Sequence, residues 1–177
     1  MNNKIVLAFS GGLDTSFCVP YLKEKGYEVH TVMVNTGGFS AEEEQAIEER
    51  ALTLGAASHT NVNAVDTYYE KGIRYLIYGN ILKNATYPLS VSSERVFQAL
   101  EVLKHVKKIG AAAVAHGSTG AGNDQVRFDI VFEILAPEVK IIAPVRDECF
   151  TRQFEIDYLQ NHGFDFSWEK AKYSINQ

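Results

Sequence analysis

Apolar residues fall along the chain in two alternating rhythms. Short, nearly continuous apolar or β-branched runs occur at residues 5–9, 28–35, 111–115 and 140–143, and such runs predict strands; residues 58–63, with Thr60 and Val62, give a weak further strand. Between them the apolar positions recur every three or four residues, which predicts amphipathic helices. The first helix is expected over residues 13–25 with Gly26 as its stop, and Pro20 inside it predicts a bend over residues 16–20. Ser40-Ala41-Glu42-Glu43 has capping-box spacing ahead of Ile47, Ala51 and Leu54, with Gly55 closing the helix. Residues 64–82 read as helical, with Tyr68, Tyr69, Ile73, Leu76 and Ile77 on the apolar side. A polar connection over 83–91 leads to Ser92-Ser93 as a cap for a helix carrying Val96, Ala99, Leu100, Leu103 and Val106. That helix has Lys107 and Lys108 in its last turn and ends at Gly110. A last helix is expected over 151–162. Five strands alternating with helices predict an α/β fold built on a parallel, doubly wound sheet with right-handed crossovers.

Composition adds bounds rather than direction. The 177 residues suit one domain with a real core, and 46% hydrophobic against 22% charged is an ordinary globular balance. The net charge of -5 argues against a nucleic-acid or anionic-membrane surface. Cys18 and Cys149 fit no metal spacing and read as free thiols of a reducing compartment. With no leader and no run long enough to span a bilayer, the expectation is a cytoplasmic protein. The Glu run at 42–44 reads as a solvated face, and His30, His59, His105 and His162 as packing or surface residues.

Chemistry concentrates in two loops. Ser10-Gly11-Gly12-Leu13-Asp14-Thr15-Ser16 follows the first strand directly and opens a helix. Converging amides, the helix dipole and the hydroxyls of Ser10, Thr15 and Ser16 make that layout an anion site. It is not a Walker A loop, having neither the spacing nor the lysine. It resembles the phosphate loop (PP-loop) of the ATP pyrophosphatases, which cleave ATP between the α and β phosphates. The second loop, His116-Gly117-Ser118-Thr119-Gly120-Ala121-Gly122-Asn123-Asp124-Gln125-Val126-Arg127-Phe128-Asp129, follows the fourth strand. On a parallel sheet both loops share one edge. The second presents Asp124, Arg127 and amides together, a set suited to a zwitterionic amino acid. The blander reading is a helix capped at Asn123 or Asp124.

The two stretches together resemble the argininosuccinate synthase family, and the likeness runs on through Tyr87, Ser92, Arg95, Ala136-Pro137 and Ile142-Ala143-Pro144. It implies a Rossmann-like sheet of the adenine nucleotide alpha hydrolase (HUP) type. It further implies a nucleotide-binding domain over residues 1–165, with 166–177 starting a linker to a synthetase domain. In that family citrulline attacks the α-phosphorus of MgATP to give a citrullyl-adenylate and pyrophosphate, and the amine of aspartate then displaces AMP. By matching positions Ala8, Phe9, Ser10, Gly11, Gly12, Leu13, Asp14, Thr15, Ser16, Val34, His116 and Gly117 would hold ATP. Thr119, Asn123 and Asp124 would hold aspartate. Tyr87, Ser92, Arg95, Asn123 and Arg127 would hold citrulline. Asp14, Asp124 and Arg127 would stand nearest the chemistry. No residue is assigned as a metal ligand; Asp14 and Asp124 are the carboxylates that could meet the magnesium of MgATP. The family implies a homotetramer for the full-length enzyme and a monomer or weak dimer for this domain.

Three departures from the family pattern stand out. Ser90-Val91-Ser92-Ser93-Glu94-Arg95-Val96 replaces the usual G-T-S-L-A-R-P, Ala121 replaces a lysine, and Asn35-Thr36-Gly37-Gly38 stands where a G-Q pair is common. They suggest a variant substrate such as a citrulline acylated on its α-amine. Rival readings are another PP-loop enzyme acting on tRNA, GMP, NAD or asparagine synthesis, and a non-catalytic adenine-nucleotide module of the universal-stress type. The tRNA enzymes would want a basic surface and paired cysteines. The other synthetases lack the 116–129 run, and the stress type carries its phosphate signature later in the chain.

Overall fold

The computed structural model describes residues 2–80, 82–83, 87–166 and 168; the side chains of residues 83, 87, 88 and 91 lie outside the description. Strand β1 (Lys4–Ala8) leads into α1 (Leu13–Glu24), β2 (Glu28–Asn35), α2 (Ala41–Thr53) and β3 (Ser58–Asn63). A continuous helical stretch follows as α3 (Val65–Tyr68), a π-helical turn (Tyr69–Ile73) and α4 (Arg74–Tyr78). Two short strands, β4 (Leu82–Lys83) and β5 (Tyr87–Pro88), pair antiparallel before α5 (Ser90–Ile109). Then come β6 (Ala113–His116), α6 (Asp124–Leu135), β7 (Lys140–Ile142), α7 (Pro144–Asp147) and α8 (Arg152–Asn161).

The main sheet has the order β3-β2-β1-β6-β7, and its four pairings are all parallel. Alternation in β1 explains the layers. Ile5 and Leu7 face the core with α1, α2 and α8, whereas Val6 faces the core with α5 and α6. Burying each such side chain completely contributes about 1.5–3 kcal/mol. The chain winds to one side of β1 first and then to the other. A topological switch point therefore lies between β1 and β6, where ligands of open α/β sheets bind.

Several expectations shift in detail. The capping box at Ser40 forms in both directions, and Ile47, Ala51 and Leu54 are buried. The first helix stops at Glu24, with Pro20 buried inside it. The stretch expected to reach residue 82 ends at Tyr78, because Gly79 and a left-handed Asn80 (φ 45°) turn the chain out. Its apolar side is only partly covered, with Tyr69 and Ile77 48% and 61% exposed. The polar connection contains the β4–β5 hairpin, which hands the chain to α5 at Ser90. Ser92 and Ser93 do not cap that helix: their hydroxyls donate back to the carbonyls of Leu89 and Ser90. The fourth main-sheet strand is Ala113–His116, since pairing with β1 starts at Ala113, and the fifth ends at Ile142. Packing continues beyond residue 165, as Phe166 and Trp168 lie against the core beside α1 and α2.

Candidate functional site

Parallel pairing sets Ala8 opposite His116, so both glycine-rich loops leave the same edge from neighbouring strands. They border a cleft of about 840 Å³, within the usual range for small-molecule sites. In the first loop Gly12 is the N-cap of α1 and offers no side-chain cap. The first turn's N–H groups therefore keep their capacity for a ligand, and the dipole favours an anion there. The hydroxyls rest on long internal bonds: Thr15 Oγ1 donates to the Gly12 carbonyl at 3.2 Å and lies 3.3 Å from Ser10 Oγ. Phosphate oxygens would replace these with shorter, charge-assisted bonds. Gly11 faces the other way. Its φ is +74°, a Cβ there would meet Ile47 Cγ1 at 2.9 Å, and its carbonyl accepts from Arg50 and from Ser16.

The second loop is pressed against the first. A Cβ at Gly117 would stand 3.0 Å from the Thr15 nitrogen and 3.1 Å from the Asp14 carbonyl carbon, so the backbones touch where glycine alone fits. Before it, His116 is 1% exposed and stacks on Phe128 at 5.5 Å. The Ser118 N–H donates to its Nδ1 at 3.2 Å, which leaves Nε2 to donate to Asp129 at 3.0 Å. Asp129 also accepts from Arg146. Burial works to raise the Asp129 carboxyl, but the bonds from His116 and Arg146 outweigh it and hold the group below the usual range. These bonds lock the root of the loop.

A charged file crosses the cleft wall. Asp124 in the first turn of α6 accepts from Arg127 Nη1 at 2.6 Å and from Arg95 Nε at 3.2 Å. Arg95 also pairs with Glu94 at 3.1 Å. Glu94, 8% exposed, accepts from Thr36 at 2.6 Å and from Gln98 at 3.3 Å. Alternating signs keep the file near neutrality while leaving donors and acceptors for a zwitterion. Asn123 holds the N-cap position of α6 without a side-chain capping bond, so the capping reading does not account for its side chain.

Asp14 has a neighbour that no motif announces. Glu155 on α8 is 1% exposed, and its Oε2 has no hydrogen-bond partner among the described residues. Burial first, then the charge of Asp14 and a hydrogen bond with it, push the Glu155 carboxyl up to about 8, against the opposing pull of Arg152. At neutral pH Glu155 is thus mostly a neutral acid beside Asp14.

Comparison with known proteins decides what this arrangement is. The model of the arginosuccinate synthase N-terminal HUP domain matches residues 4–165. The chain belongs to the argininosuccinate synthase family. It is 45% identical over 177 residues to the argininosuccinate synthase of Xanthomonas campestris pv. campestris, an alignment covering 98% of this chain and 44% of that protein. The corresponding protein of Pyrobaculum aerophilum is 45% identical over 175 residues and that of Saccharolobus solfataricus 46% over 175, each alignment covering 98% of this chain and 44% of the relative. The chain thus spans less than half the length of these relatives. The doubly wound parallel sheet is the HUP fold of this family's N-terminal domain.

Of the residues singled out by the argininosuccinate synthase resemblance, Ala8, Phe9, Ser10, Gly12, Leu13, Asp14, Thr15, Val34, His116 and Gly117 line the cleft, as do Arg95, Thr119, Asn123, Asp124 and Arg127. Gly11 and Ser16 do not: the Gly11 carbonyl and the buried Ser16 hydroxyl turn toward each other, away from the opening. Ser92 bonds to the Leu89 carbonyl and is likewise off the wall. The side chain of Tyr87 falls outside the described residues. Sequence reasoning passed over Gln98 and Arg152 as lining residues, and Arg50, Asp129, Arg146 and Glu155 as supports. Glu94 was visible only as a departure from the family pattern. Among the described residues no helix is long and apolar enough to cross a membrane.

Proposed function

We propose that this chain is the ATP-binding domain of an argininosuccinate synthase, a ligase that joins citrulline to aspartate through a citrullyl-adenylate and releases AMP and pyrophosphate. The observation that carries this reading is the contact of Gly117 with the backbone of Asp14 and Thr15. It brings an anion-binding helix start and an amino-acid-like polar set into one cleft. The triphosphate of MgATP lies against the amides of residues 12–15, with the adenine near Val34. Asp124 takes the aspartate ammonium, while Thr119 and Asn123 take its carboxylates. Tyr87, Ser92, Arg95, Asn123 and Arg127 serve the citrulline end, and Ser92 must rotate from its present bond to do so.

Each substrate brings its own nucleophile, so the protein's part is positioning and charge stabilisation. Asp14 orients the first turn, and Arg127 offsets charge gathering at the α-phosphorus. The second half of the relatives supplies the remaining substrate contacts. These residues alone therefore bind nucleotide without forming argininosuccinate, and the domain is a monomer or weak dimer of what assembles as a tetramer at full length.

Calorimetric titration with ATP, followed by aspartate, tests the reading. Saturable ATP binding is expected, with aspartate binding lost in Asp124→Ala; absence of ATP binding would overturn it. The departures at Ser93, Glu94 and Ala121 support an N-acylated citrulline as substrate. Turnover of plain and acylated citrulline by the full-length protein separates the two, and a strong preference for the plain form sinks the acylated one.

A further inference from the structure

We propose that Arg50 is a positioning residue for the phosphate loop, and that it couples nucleotide affinity to the seating of the aromatic segment ending at Trp168. Arg50 lies on α2, outside the cleft, and donates from Nη1 to the carbonyl of Gly11. In a trans peptide the C=O of one residue and the N–H of the next point in opposite directions. Anchoring the Gly11 carbonyl toward α2 therefore turns the Gly12 N–H toward the cleft, where it now makes only a 3.4 Å bond to Ser10 Oγ. Gly11 can hold that orientation because its φ is +74°, a region in which other orientations of the same peptide are close in energy for glycine. Something must select one of them. A charged donor fixed on a helix does so.

Arg50 is itself held from the opposite side. Its guanidinium lies 5.3 Å from the ring centre of Phe166 and 5.4 Å from that of Trp168, and the two rings meet edge-on at 5.6 Å. Planar guanidinium suits both contacts at once: it stacks on aromatic faces and still projects N–H groups in its own plane. A path thus runs from Phe166 and Trp168, through Arg50, to the amide that would meet a phosphate. Displacing the aromatic pair loosens Arg50 and leaves the Gly11 carbonyl to the longer 3.5 Å bond from the Ser16 hydroxyl.

The inference rests on the nucleotide reading above, and the measurements separate the two. In the ligand-free chain, Arg50→Met is expected to shift the backbone amide resonances of Gly11 and Gly12, while Arg50→Lys, which keeps a cationic donor, shifts them less. ATP affinity is expected to fall about tenfold in Arg50→Met, as for loss of one charged hydrogen bond, and to be largely restored in Arg50→Lys. Phe166→Ala with Trp168→Ala should weaken ATP binding severalfold with Arg50 present and have little effect in the Arg50→Met background. Unmoved Gly11 and Gly12 resonances in a folded Arg50→Met protein would overturn the anchor. An equal loss from the aromatic double change in both backgrounds would overturn the coupling. If the unaltered chain binds no ATP, the nucleotide reading falls, whereas the amide shifts still decide whether Arg50 sets the loop.

Discussion

Gly117 fixes how closely the two loops can approach, and its replacement is the sharpest residue-scale test of the cleft. In Gly117→Ala the new methyl meets backbone atoms of Asp14 and Thr15 at 3.0–3.1 Å, and neither can swing aside as a side-chain end would. The loops must part. Stability is expected to fall by about 1–3 kcal/mol and ATP affinity by more than the tenfold of a lost hydrogen bond, checked by chemical denaturation and calorimetry. Glu155 makes a different claim. Its native carboxyl titrates near 8 and the unfolded one near 4.5, so between those values the native state binds the extra proton. Stability contributed by the neutral form declines as pH rises from about 4.5 and is gone above about 8. Glu155→Gln stays neutral throughout. Its stability relative to the parent protein should climb between pH 5 and pH 8 and level off beyond, in melts across that range; a constant difference would refute the buried acid. Neither Glu155 nor Arg50 was legible in the sequence, because each acts on a loop more than 35 positions away and belongs to no local pattern. The residues of the two loops were legible because glycine-rich runs directly after two strands of a parallel sheet are a local pattern, and both line the cleft.

Helix α1 is held less by an amphipathic stripe than by an aromatic bed. Phe17 is fully buried and meets Tyr21, Phe150 and Tyr158 at ring distances of 5.3, 5.2 and 5.0 Å, joining α1 to α8 beneath the first glycine-rich loop. Phe17→Ala should cost about 3–5 kcal/mol in a urea titration and loosen the loop above it. Elements governed by nearby residues could be read directly: the Ser40–Glu43 box needs four positions, and β2 was bounded at Glu28 and Asn35 by its own run. The β4–β5 hairpin could not be, since two pairs of residues carry too little alternation to register. Ser92 and Ser93 misled for a related reason. A serine near a helix start can accept from an amide or donate to a carbonyl, and here the chain leaving the hairpin at Leu89 settles it in favour of donation.

For the molecule as a whole, ligand binding and folding are linked. ATP at one hundred times its dissociation constant should raise the unfolding free energy by about 2.7 kcal/mol, seen as several degrees in the melting midpoint; Asp124→Ala should keep that rise yet lose any further gain from aspartate. The sheet order adds a consequence for assembly. Strands β1 and β2 are close in sequence, but β1 meets its other neighbour, β6, across more than a hundred residues, with Ile5 opposite Ala113. Closing so long a loop is entropically slow relative to local pairing. During synthesis the leading half of the chain can zip β1 to β2 and β2 to β3 while the cleft still lacks one wall. A ribosome-bound chain stopped short of residue 113 would carry the whole first loop and yet lack the second, with which it borders the cleft. The cleft is therefore completed late, when the fourth main-sheet strand slots in beside the first.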